Sequence, residues 1–372
     1  MLPSERRKSQ LLWALALIAA LHCEAPALAD WQSEWEQAKQ AATKEAEFVL
    51  YGPHLPFFKK VWEPFQRAYP GIKLTFEPGR GADHLKRVSA ERRADLYKVD
   101  MVMGGGNVMH SFAPGTIDPI VPTLILPEVT RDTAWWGKKL RLTDQGQQYI
   151  LSFSESAKTS TIAYNTRLVN PKEILAWKDL LNPKWKGKIA SFDPRVSGGG
   201  DPFRFFQSAQ DFGPDFISRL VRDAEVVFTR DLHQGVDWLA SGKVELYLGS
   251  ALFTLEAKDK GLPVEIIQHS MKDGETMGLG GVCCLTLMNK APHPNATKVF
   301  LNWLLSKEGQ ILWQRHSKTN SLRVDIPKDD VHEVFVPKDG VNYFMATSYQ
   351  YQDPEQAKAL QKLIDDAVAK RK

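Results

Sequence analysis

The sequence predicts an α/β protein of two units, each built from strands alternating with helices. Three observations carry this. Short apolar runs ending in Gly or Pro alternate with stretches of helical apolar spacing from residue 46 to 106. The same alternation resumes at residue 160, after a proline-punctuated connection. The chain has 372 residues, 43% hydrophobic and 25% charged, which is ordinary globular composition and enough for about two domains with cores of their own.

Taken in order, "AEFVLYGP" (46–53) reads as a strand and "FFKKVWEPFQRAYPG" as a helix stopping at Pro70-Gly71. "IKLTFEPG" is a second strand, "ADHLKRVSAERRADLY" an amphipathic helix, and "VDMVMGGG" a third strand running into glycines. Residues 113–150 form an extended connection. The second unit follows with strands in "STIAYNTRLV", "KWKGKIASFD", "AEVVFTR" and "VELYLGS" and helices after residue 203, around "HQGVDWLASG" and up to Gly261. "PVEII", "GLGGVCCLTLM" and one long helix, "NATKVFLNWLLSKEGQILWQ", return to the first unit, and "PEQAKALQKLIDDAVAKRK" closes the chain as an amphipathic helix.

The first 29 residues are of another kind. Arg6, Arg7 and Lys8 precede an apolar run from Leu11 to Leu21, and Ala27-Leu28-Ala29 stands before Asp30, the pattern of a cleaved secretory signal. The run is far short of the ~20 residues of a membrane span. A lipid anchor on Cys23 is disfavoured by His22 before it, and a twin-arginine route through Arg6-Arg7 is a further alternative. Beyond Cys23 there remain Cys283 and Cys284, adjacent in sequence. Neighbours on a strand point to opposite faces, so two buried thiols are expected rather than a bridge. The net charge of +4 is spread among interspersed acids and gives no reason to expect nucleic acid as a partner.

Parallel α/β sheets gather ligand-binding loops at the carboxyl ends of their strands. Three such loops are candidates in the first unit: Gly52-Pro53-His54, Gly79-Arg80-Gly81 and Gly104-Gly105-Gly106-Asn107. In the second unit, "DPRVSGGGDPFRFF" (193–206) sets Ser197, Gly198, Gly199 and Gly200 before a helix, with Asp201 at the cap, Pro202 in the first turn and Gly213 at the stop. Bare amides at a helix start suit an anion, with Arg195 or Arg230 as a fork; a flexible loop before a well-capped helix is the plain alternative. No GxSxG, SxxK, HExxH, P-loop, calcium loop or dinucleotide fingerprint is present, and no cofactor is expected. A secreted hydrolase needing only two carboxylates stays open, with Asp201, Asp231 and Glu155 as candidates.

The segments "WKDLLNPKWKGKIASFDPRVSGGG", "IAYNTRLV", "APHPNA" and "LLSKEGQ" resemble the extracytoplasmic solute-binding proteins of ABC importers, in the ferric-iron-type branch of the type II periplasmic binding fold, from about residue 47 to 327. The resemblance implies two α/β lobes with a hinge of crossing strands and a ligand cleft between them, a periplasmic location, a monomer, and permease and ATPase subunits as partners. Lobe 1 is expected over 30–155 with 272–320, lobe 2 over 156–271 with 321–372, and the hinge near 150–165 and 265–285. Thr159 and Ser250 complete the candidate ligand contacts. Ferric-binding members use a histidine after the first strand, matched by His54, and paired tyrosines where this chain has Ala251 and Leu252. A ferric ion lacking anionic oxygen ligands is poorly held. The expected solute is therefore a small organic anion docked on Ser197 to Gly200, with iron or a ferric chelate as the alternative. Whether such a receptor also serves a chemoreceptor or sensor kinase is left open.

Overall fold

The computed structural model describes residues 25–196, 201–278 and 282–371. Lobe 1 is built on a mixed sheet in the order Lys73–Pro78, Glu47–Gly52, Met101–Gly104, Cys284–Met288, Leu151–Ser152, Arg141–Leu142, with Ile117–Asp118 also paired to Cys284–Met288. Its first three strands are parallel and the returning Cys284–Met288 runs antiparallel to them. Helix Phe58–Ala68 turns Phe58, Val61, Trp62 and Phe65 inward, the three-and-four spacing of one apolar face.

Lobe 2 is a five-stranded sheet in the order Val227–Thr229, Ile189–Phe192, Leu246–Ser250, Ser160–Asn165, Val264–Ile266. Helix Gly213–Arg222 buries Phe216, Ile217, Leu220 and Val221 against it. The closing helix Pro354–Ala369 buries Leu360, Ile364 and Ala367 in the same core. The separate hydrophobic clusters of the two lobes bear out the two-lobed architecture.

A third, three-stranded sheet joins them. Ser156–Ala157 lies antiparallel to Glu275–Gly278, and Tyr343–Met345 runs parallel to it. Lys158 Nζ and Glu275 Oε1, both buried, are 2.6 Å apart across this junction. The chain crosses between lobes again after Leu322, which packs in the first core, and before Val331, which packs in the second lobe.

Four local readings are corrected. Cys283 and Cys284 are joined by a disulfide, both buried, at the start of the returning strand. The strand begins only at Cys284, so Cys283 is free of the side-alternation that argued for two separate thiols. Gly213 does not stop the Asp201–Ser208 helix; with φ of 72° it sits in the turn and opens the next helix. The long helix near the end is two helices, Pro294–Leu305 and Lys307–Ser317, broken at Ser306. Helix Ala25–Glu45, absent from the sequence reading, packs on Pro294–Leu305, and its Glu45 carboxylate accepts from the backbone of Asn295 and Ala296 at that helix start. Among the described residues no helix is long and apolar enough to cross a membrane.

Candidate functional site

The first-lobe candidates lie at the carboxyl ends of their strands but are not equivalent. Gly52 is buried, and its carbonyl accepts the Gly79 N–H at 2.8 Å. His54 is exposed and borders a groove of about 460 Å³ with Leu55, Phe58, Trp62 and Phe76 on the same lobe; Pro53 is half-buried between the two. Arg80 is solvent-exposed and paired with Asp83 at 2.9 Å. Gly104 ends its strand and accepts the Cys283 N–H at 3.3 Å; Gly105 and Gly106 begin the one-turn helix Gly106–Met109. Gly106 packs on Thr347 of the C-terminal segment, so closely that a Cβ there would lie 3.4 Å from the Thr347 carbonyl oxygen. The backbone of Asn107 belongs to that turn.

In the second lobe the anion loop, Ser197, Gly198, Gly199 and Gly200, lies outside the described residues. What flanks it is informative. Asp193, almost fully buried after strand Ile189–Phe192, is grasped by Arg195 through Nε at 2.7 Å and a second nitrogen at 2.9 Å, with Arg230 at 3.4 Å. Burial pushes the Asp193 carboxyl up, but the Arg195 hydrogen bonds and charge outweigh it and hold it below the usual carboxylate range. Arg195 also reaches Asp365 of the closing helix at 2.8 Å. Its fork is thus engaged within the protein. Arg230 keeps a side chain 74% exposed.

Thr159 and Ser250 are brought together, because Ser250 pairs with Ser160 and the Ala251 N–H donates to the Thr159 carbonyl at 3.1 Å. The Ser250 hydroxyl caps helix Ala251–Asp259 by accepting from Phe253, and Ala251 and Leu252 open that helix. Asp231 likewise caps helix Leu232–Ala240, accepting from His233 and Gln234, so it is not held free as a hydrolytic carboxylate. Among the described residues no three His, Cys, Asp or Glu side chains gather to hold a metal ion.

Glu155, named from the sequence only as a hydrolytic carboxylate, is the centre of a polar cluster at the junction that the sequence did not reveal. Glu155, fully buried, accepts at Oε1 from Arg141 Nε (2.8 Å), Ser152 Oγ (2.6 Å) and Thr347 Oγ1 (2.7 Å). Arg141 continues to Ser348 Oγ at 2.9 Å. The Thr347 carbonyl lies 3.2 Å from His110 Nε2, and the Tyr349 N–H donates to Thr143. Thr347 is 206 positions from Arg141, and no local pattern could have paired them.

Residues 145–316 match the family of bacterial extracellular solute-binding proteins. A relative from Haemophilus influenzae, described only as an uncharacterized protein, is 28% identical over 152 residues, 37% of this chain; the match spans 40% of that relative's length. Three solved structures are similar in fold. The Trichodesmium protein IdiA (FutA) in complex with iron and citrate matches at TM-score 0.66 and 17% identity, over 86% of this chain and 99% of its own. The ferric binding protein of Campylobacter jejuni matches at 0.66 and 14%, over 86% and 99%. The periplasmic binding protein AfuA of Actinobacillus pleuropneumoniae, with fructose-6-phosphate bound, matches at 0.63 and 17%, over 87% and 99%. Two α/β lobes and a junction of crossing strands give this chain the fold of the two-lobed periplasmic binding proteins, and its central segment is similar to the extracellular solute-binding family. The two-lobed α/β fold expected from the sequence is borne out, and the matched segment, residues 145–316, lies within the stretch that carried the resemblance.

Proposed function

We propose that the chain is the receptor of an ABC importer, capturing a small organic anion by closure of its two lobes and handing it to membrane permease and ATPase subunits. The observation that carries this is the pair of glycine turns at the carboxyl ends of first-lobe strands, with Arg230 at the end of a second-lobe strand and the two lobes joined by crossing strands. Arg230, largely exposed at the end of its strand, is the guanidinium that remains for an anion, and the Ser197–Gly200 amides are proposed as its partner. The first lobe closes over the solute through Gly52 to His54 and Gly104 to Asn107. Export through residues 1–29, a periplasmic site of action, a monomeric state and the absence of catalysis belong to the same reading.

AfuA, with its phosphorylated sugar, makes fructose 6-phosphate a sensible first probe. Thermal-shift and calorimetric titration with fructose 6-phosphate, phosphonoacetate, citrate, ferric citrate and spermidine test it. Stabilisation by an organic anion, lost in Ser197→Trp, is expected; ligand at a hundred times its Kd adds about 2.7 kcal/mol. Stabilisation by ferric citrate or spermidine alone would overturn the anion reading, and so would unchanged affinity in Ser197→Trp.

A further inference from the structure

We infer that Glu155 is the place where a hydroxyl group of the solute is bound. This rests on the receptor reading above and adds the chemistry of the end of the solute remote from its anionic head.

Glu155 is fully buried, and while Oε1 accepts three hydrogen bonds, Oε2 is buried with no donor among the described residues. A buried carboxylate oxygen without a partner is among the more costly defects a fold can carry. Thr143 Oγ1, two residues along from Arg141, and Thr159 Oγ1, four residues along from Glu155, are likewise buried with no partner among the described residues. The location is also right. Glu155 stands in the segment that passes from one lobe to the other, and the Thr347 that binds it is packed on Gly106. Through Thr347 the carboxylate is linked to the Gly104–Gly106 turn at the end of a first-lobe strand.

Charge selects the kind of donor. Arg141, in contact at 2.8 Å, already balances Glu155, so an ammonium would bring an excess charge into a buried site. A neutral O–H donor completes the carboxylate and leaves the balance intact. Its immediate partners Ser152 and Thr347, and Ser348 beyond Arg141, are hydroxyls whose oxygens keep accepting capacity toward a polyol. The solute class that satisfies both ends is a hydroxylated organic anion, such as a sugar or polyol phosphate.

The test is calorimetric titration of the full-length mature protein with fructose 6-phosphate, glycerol 3-phosphate and methyl phosphate, repeated on Glu155→Gln. The hydroxylated phosphates are expected to bind about tenfold or more tightly than methyl phosphate, the scale of one hydrogen bond to a charged group. Glu155→Gln should remove that advantage and leave methyl phosphate within about twofold. The wild-type comparison needs no variant, so a poorly folded Glu155→Gln does not rescue the idea. Equal binding of all three phosphates by the wild type would overturn the inference while leaving an anion receptor. An advantage that survives in Glu155→Gln would overturn it too, leaving only water on Oε2. Failure of every phosphate to bind, with citrate or phosphonoacetate bound, would overturn it and keep the receptor; failure of every anion would remove both.

Discussion

Arg323 illustrates how single residues hold this molecule together. Its guanidinium is fully buried, donates to the Leu305 carbonyl at 2.8 Å, and grips both oxygens of Asp325 at 2.8 and 2.9 Å. Burial pushes the Asp325 carboxyl up, but Arg323, with help from Lys307, overrides it and brings the pKa from 3.8 to about 2. A carboxyl whose folded pKa is depressed adds stability that is present above its unfolded pKa and is lost as pH falls through the folded one. Asp325→Asn should therefore lower stability by about 2 kcal/mol at pH 7, discounted for partial exposure, and the deficit should shrink between pH 4 and pH 2. Urea unfolding of both proteins across that window checks it; a deficit that is constant with pH would contradict the assignment. Arg195 gives a second case. Its partners are Asp193 and Asp365, so Arg195→Ala should cost about 2 kcal/mol in urea unfolding and change the Kd of whichever anion stabilises the wild type by less than about threefold.

At the scale of elements, the break at Ser306 shows what periodicity overlooks. The apolar spacing runs without interruption through "FLNWLLSKEGQILWQ" and reads as one helix. Ser306 nonetheless adopts an extended backbone, and its hydroxyl accepts the Gly309 N–H at 3.2 Å as the cap of a new helix. The chain doubles back so tightly that a Cβ on Gly309 would fall 2.2 Å from the Trp303 carbonyl oxygen. Ser306 followed by Glu308 was a legible signal, since a capping serine with an acid in the first turn marks a helix start, but unbroken apolar spacing outweighed it. Gly309→Ala is expected to destabilise by about 2–3 kcal/mol through this backbone clash, read as a lower Tm with the solute Kd unchanged. A Tm within a degree of wild type would mean that the two helices can straighten.

At the scale of the whole molecule, the junction is what couples the two lobes. Three chain segments cross it, Lys158 and Glu275 are paired within it, and the C-terminal segment ties Arg141 of one lobe to a strand whose Phe344 packs in the other. A solute shifts such a molecule toward closure only by contacting both lobes. Saturation with an anion that stabilises the protein in thermal shift should accordingly reduce the radius of gyration measured by small-angle scattering, and an unchanged value would count against closure. The disulfide belongs to this region as well, at the start of the strand beside Gly104. Both sulfurs are buried, so the native protein should resist alkylation under a mild reductant, and the reduced, unfolded chain should be heavier by two hydrogens in intact mass spectrometry.

Alternating apolar runs, glycine punctuation and a few long motifs were sufficient to define two α/β lobes, because strand, helix and turn preferences are set within a few residues of one another. The carboxyl-end turns, Gly52 to His54 and Gly104 to Asn107, were legible for the same reason. Tertiary structure decided which of the candidate side chains are engaged. Arg195 is committed to a helix 170 positions away, and Glu155 draws its partners from a short hairpin and from the C-terminal segment. Those choices depend on which buried charges end up within reach of a compensating group. That reach is a property of packing in three dimensions and leaves no trace in local spacing.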